Sequence, residues 1–103
     1  MKNTNNKLIA VDIDGTLTTN DCWTEDDCLY AEPKKDIIEK VNKLYYQMNH
    51  IIVYTARREE LRGATEYWLR KNGVKYHAIV MGYNKMGADI YVDDRAIRPE
   101  ELL

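Results

Sequence analysis

The stretch LIAVDIDGTLT, residues 8–18, decides how the chain is read. An apolar run from Leu8 to Val11 ends on Asp12, one residue intervenes, and Asp14, Gly15 and Thr16 follow. A short apolar run bounded by turn residues predicts a strand buried on both faces, as in a parallel sheet. A strand that ends on a carboxylate delivers that charge to the carboxyl edge of the sheet, where open α/β folds place their sites. Gly15 gives the backbone freedom to turn sharply at that edge.

Working outward, residues 17–33 are polar and rich in Thr, Asn and Asp, and predict an irregular flap. Pro33 fits the first position of a helix. From Lys34 to Met48 the residues Ile37, Ile38, Val41, Leu44, Tyr45 and Met48 recur at helical spacing. HIIVYT predicts a second strand over 51–55. Arg58 to Lys71 predicts a second helix, with Leu61, Thr65, Trp68 and Leu69 inward and Gly73 as its stop. HAIVM predicts a third strand, and ADIYV a fourth that ends on Asp93 and Asp94. Strands alternating with helices imply parallel βαβ units. The expected fold is therefore α/β: a three-layer, Rossmann-like arrangement with a short, mainly parallel sheet of about four strands, in one domain over 1–103 and without a cap domain. Asp12, Thr55, Asp93 and Asp94 should meet on one edge.

Composition bounds the function. The chain has 103 residues, 45% of them hydrophobic and 31% charged, with a net charge of −2. That balance argues against a dedicated binder of nucleic acid or of membrane surfaces, which normally carries a basic excess. No apolar run approaches the ~20 residues that span a bilayer. With no secretory signal read from the sequence, Cys22 and Cys28 are expected as reduced thiols of a cytoplasmic protein, with a metal pair or a redox bridge as the alternatives.

An edge holding the carboxylates of Asp12, Asp14, Asp93 and Asp94 would be strongly repulsive. Two like charges about 4 Å apart repel by ~4 kcal/mol at an effective dielectric near 20. Such a cluster must hold protons or a cation, and hard oxygen donors with room for water and phosphate select Mg²⁺. A carboxylate held in line with phosphorus can attack it. A second one, two residues on, can move the proton. Thr55 and Lys85 could hold phosphoryl oxygens.

These residues bring a resemblance into view. DIDGTLT resembles the nucleophile motif Asp-x-Asp-Gly-Thr of the haloacid dehalogenase-like superfamily. VYTAR is similar to its second motif, and KMGADIYVDDRA to its third and fourth set close together. The likeness spans residues 8–98. It implies Asp12 as nucleophile, Asp14 as general acid and base, and phosphoryl binding by Thr55 and Lys85 with Gly15 and Thr16 of the turn. It also implies a Mg²⁺ site formed by Asp12, the Asp14 backbone carbonyl and the pair Asp93 and Asp94. Dehalogenases of the superfamily lack the second Asp, so Asp14 favours phosphoryl chemistry. Within the superfamily the chain resembles short capless hydrolases often encoded beside capsule or sugar-phosphate genes, and TARREELRGATEYWLRKNGVKYHAIVM is similar to the phosphatase half of phage-type polynucleotide kinase.

The expected activity is a Mg²⁺-dependent phosphomonoesterase working through an aspartyl-phosphate. The alternative is a catalytically silent phosphate- or metal-binding subunit of the same fold. An open site suits a bulky phosphorylated substrate, with no membrane partner and no stable nucleic-acid binding. Arg57 and Arg58, opening the second helix, are candidates for substrate binding, as are Trp23 and Tyr30 of the flap. The remaining tyrosines are read as packing, and His50 and His77 as structural. The third and fourth strands should lie three spacings apart, about 14 Å. A link of eight extended residues, reaching at most ~26–29 Å, can cross that distance but cannot do so as a helix. One sheet face is then thinly covered, and pairing with another copy of the chain is expected.

Overall fold

The sheet forms from the segments that the sequence marks as apolar. In a computed structural model, which describes residues 5–82 and 87–93, the strands are β1 (Leu8–Asp12), β2 (His50–Thr55), β3 (Ala78–Met81) and β4 (Ile90–Val92). They make one sheet in the order β3-β2-β1-β4. All pairings are parallel, with Asp12 opposite Tyr54, Val11 opposite both Val53 and Val92, and Thr55 opposite Met81. The α/β class, the parallel four-stranded sheet and the place of β4 beyond β1 are those expected.

Three helices are described: α1 (Glu25–Leu29), α2 (Lys35–Tyr46) and α3 (Arg62–Lys71). The apolar stripe of α2 buries Ile38 and Val41, and that of α3 buries Thr65, Trp68 and Leu69. They pack on Ile9 and Val11 of β1 and on Ile51 and Val53 of β2. After α3 the chain reverses at Gly73, whose φ of +70° is costly for a residue with a Cβ. The chain moves β1 to β2 to β3 in one direction across the sheet, so right-handed crossovers place α2 and α3 on the same face. The alternate residues Ala10, Ile52, Tyr54, Val80 and Tyr91 point to the other face. Ile52 and Val80 stay half-buried there and Tyr91 is exposed. Among the described residues no helix covers this second face. Residues 83–86 of the link to β4, and with them Lys85, lie outside the described residues, as do Asp94 and Arg95.

The flap departs from expectation. It contains α1, opened by a capping box: the Thr24 hydroxyl accepts from the Asp27 backbone N–H while the Asp27 carboxylate accepts from the Thr24 N–H. Cys22 and Cys28 flank this turn with Cα atoms 5.3 Å apart and form a disulfide rather than two free thiols. That separation is inside the range a disulfide spans. The sequence reading ranked the bridge below free thiols because it weighed redox compartment and not the helical turn that closes the distance. The bridge is buried against Ala64 of α3. Pro33 does not start α2. It pairs with Thr18 in an isolated antiparallel bridge, and the helix begins two residues later at Lys35. The indole N–H of Trp68 donates to the Ala31 carbonyl at 2.8 Å and ties the returning flap to α3.

Candidate active site

The carboxyl edge of the sheet is shaped by one turn. Asp12 closes β1, and the Ile13 carbonyl then accepts the amides of Thr16, Leu17 and Thr18 at 3.2, 2.9 and 3.1 Å. Gly15 takes φ 83° inside this turn, a conformation that favours glycine. Its N–H donates to the Thr18 hydroxyl at 3.2 Å, and its carbonyl accepts from Lys34 Nζ at 2.7 Å. The turn thus points Asp14 sideways, away from the line of β1.

Asp14 lands on Arg57. The guanidinium donates from Nη2 to Oδ1 at 2.7 Å and from Nε to Oδ2 at 3.0 Å, a two-pronged ion pair. Thr55 Oγ1 donates to Asp14 Oδ2 at 3.3 Å and accepts the Arg57 backbone N–H at 3.1 Å. Arg57 Nη1 reaches Thr65 Oγ1 at 2.8 Å, and that hydroxyl donates to the Leu61 carbonyl at 2.7 Å. The Arg57 side chain is only 2% exposed, whereas that of Asp14 keeps 19%. A buried guanidinium engaged in this way holds Asp14 in one orientation, and Arg57 also lines the cavity that Asp14 faces.

The second helix, expected from Arg58, begins later. Ala56–Arg58 run without regular structure, a 3₁₀ turn covers Glu59–Leu61, and α3 begins at Arg62. Arg58 stays exposed beside Glu60 at 3.5 Å, a surface pair of little energetic weight.

The second cluster sits on the helix-free face. Tyr54, opposite Asp12 across the β1–β2 ladder, donates its hydroxyl to Asp93 Oδ2 at 2.6 Å. Burial, then the hydrogen bond to Asp93 and the negative charges of Asp93 and Asp12, push the Tyr54 phenol well above its ordinary pKa, so it remains a donor. Tyr54 is thus more than packing. The sequence places it beside Thr55, but only the strand register shows that it faces the same way as Asp12. Lys34 and Thr65 were missed for the same reason: their partners are set by packing between distant segments.

A cavity of about 660 Å³ gathers Asp12, Asp14, Thr55 and Asp93, with Arg58 and the exposed Trp23 among the residues that line it. Gly15 and the buried Thr16 form the turn behind it. The expectation of four crowded carboxylates needs correction, because Asp14 carries its own counter-ion. Among the described residues no group of three or more His, Cys, Asp or Glu side chains is gathered to hold a metal. Asp12 and Asp93 are two hard oxygen donors on one cavity, and this set fits Mg²⁺, which binds through one or two carboxylates and keeps its remaining positions for water and phosphate. His50 and His77 lie elsewhere. His77 Nδ1 accepts from the Ile51 N–H at 3.0 Å, and its ring stacks on Tyr45.

No protein-family model matches the chain, and no curated protein matches it. Solved structures do. A crystal structure from Vibrio cholerae is 30% identical, with a TM-score of 0.64 over 91% of this chain and 85% of that one. The chain belongs to the same family as that protein. A conserved protein from Bacteroides thetaiotaomicron is 26% identical, with a TM-score of 0.71 over 90% of this chain and 79% of that one. A chain of the Pnkp1/Rnl/Hen1 RNA repair complex shares the fold at 20% identity and a TM-score of 0.66, over 79% of this chain. The present chain spans only 27% of that much longer one.

Proposed function

We propose that the protein is a Mg²⁺-dependent phosphomonoesterase of the haloacid dehalogenase-like superfamily, acting through an aspartyl-phosphate on Asp12. The observation that supports this most is the division of labour on one turn. Asp12 faces the cavity at a strand end, while Asp14, two residues on, is clamped by Arg57 and Thr55 at the same cavity. In this reading an Asp12 oxygen attacks phosphorus and the ester P–O bond breaks, while Asp14, acting in its protonated form and released from the ion pair with Arg57, delivers that proton to the departing oxygen. Water then attacks the phosphoryl group, Asp14 takes its proton, and Asp12 and inorganic phosphate are regenerated. Mg²⁺, held by Asp12 and Asp93, would supply charge neutralisation for the phosphoryl oxygens.

The cavity mouth, with Trp23 80% exposed and Arg58 beside it, is open and suits a bulky phosphate ester. The fold shared with a chain of an RNA repair complex is in keeping with this. A panel of sugar phosphates, nucleotides, 3′-phosphorylated oligonucleotides and phosphopeptides tests the reading. Phosphate release is expected from at least one class and from a generic aryl phosphate, and Asp12→Asn should abolish it. Mg²⁺ and phosphate binding without turnover on the whole panel would instead indicate a silent subunit.

A further inference from the structure

We propose that Trp23 is a stacking platform for a flat aromatic ring on the alcohol half of the phosphate ester, from a nucleobase or a simple aryl group. The inference rests on the phosphatase reading and names the substrate class that this reading leaves open. Single exposed apolar side chains are common on protein surfaces; the setting of this one is not. Trp23 is 80% exposed and lines the same cavity as Asp12, Asp14 and Asp93. Its mount is fixed on both sides. Cys22, just before it, is buried and bridged to Cys28. The Trp23 N–H donates to Asp27 Oδ2 at 3.3 Å, and the next residue, Thr24, caps α1 and donates its N–H to the same oxygen at 3.2 Å. A large ring carried on a backbone pinned in this way loses little conformational freedom when a ligand arrives.

The cavity has two kinds of wall. Asp12, Asp14, Thr55 and Asp93 supply oxygen-rich lining from the sheet edge, where phosphoryl transfer belongs. Cys22 and Leu61 supply apolar lining, and Leu61 packs on the buried cluster that contains Cys22 and Cys28. At about 660 Å³ the cavity has the size of pockets that enclose a whole small molecule, far more than a phosphate group fills. An aromatic ring suits the second wall: it buries apolar area there and offers a π face to the indole. A sugar ring would bring hydroxyls that need hydrogen-bond partners, for which an apolar wall is the wrong surface.

Trp23→Ala should lower the ratio of kcat/KM for adenosine 5′-monophosphate or phenyl phosphate over that for glycerol phosphate by about 10-fold, the weight of one base stacked on an aromatic side chain. This ratio does not depend on how much of the variant folds. A second measurement uses Asp12→Asn, in which esters should bind without turnover. There either aromatic ester should shield Trp23 from quenching by acrylamide, while Trp68, 1% exposed, contributes a constant background. A response to adenosine 5′-monophosphate alone assigns a nucleobase, and one to phenyl phosphate alone assigns a ring bonded directly to the ester oxygen. An unchanged ratio in Trp23→Ala, no shielding by either ester, or equal shielding by glucose 6-phosphate overturns the platform, while phosphate release by the parent protein keeps the phosphatase reading. Shielding by an aromatic ester with no phosphate released from any substrate would keep the platform and remove the phosphatase reading.

Discussion

In the proposed mechanism Asp14 carries the proton and Arg57 orients it. Its fork holds both carboxylate oxygens, and a lysine at that place offers a point charge without the fork. Arg57→Lys should therefore lower kcat on the order of 10²-fold, the lower range of what a positioned acid–base group contributes, with KM for an aryl phosphate little changed. A steady-state comparison of the two proteins measures this, and an unchanged kcat would remove Arg57 from the mechanism. At this scale the sequence shows which side chains exist and which strand ends deliver them. Asp12 and Thr55 could be placed because each terminates an apolar run. The partnership of Asp14 with Arg57, 43 positions away, could not. It depends on the angle of the turn at Gly15 and on the unstructured step after Thr55, neither of which has a periodic signature.

Among the elements, the flap is where local chemistry overrides composition. Its polar sequence reads as loop, yet Thr24 and Asp27 cap a short helix and Cys22–Cys28 closes the turn. Closing so short a loop stabilises a fold by roughly 2 kcal/mol in the chain-entropy account. Urea unfolding with and without reductant should show a loss of about that size, and the reduced protein should keep the sheet. Equal stability in both states would mean that the bridge contributes nothing. Trp68→Phe should cost on the order of 1 kcal/mol or somewhat more, because it leaves the Ala31 carbonyl without its indole donor and trims a buried ring. The same unfolding assay reads this. The strands were the easiest elements to read, since burial on both faces imposes continuous apolar runs. The boundaries of α2 and α3 were blurred by Pro33 and by the 3₁₀ turn, where bridge and capping geometry compete with helical periodicity.

Among the described residues the sheet is one-sided: both long helices pack on the Ile9 and Val11 face, and no described helix lies over the row Ile52, Val80 and Tyr91. This asymmetry follows from strand order and crossover handedness, so it was readable once the short link before β4 was noticed. We propose that a second copy covers this face. Sedimentation at micromolar concentration should then give a mass above that of the 12.1 kDa chain, and Ile52→Lys should lower it; a 12.1 kDa species in the parent protein would count against pairing. The chemistry, by contrast, requires only the carboxyl edge of a single sheet. Its most direct test is the intact mass of the protein after acid quench during turnover of an aryl phosphate with Mg²⁺. The mechanism predicts an added phosphoryl group that maps to Asp12, decays as phosphate appears, and is missing in Asp12→Asn and after chelation. Turnover of that substrate by Asp12→Asn at the parent rate, with no phosphoryl adduct on either protein, would contradict it.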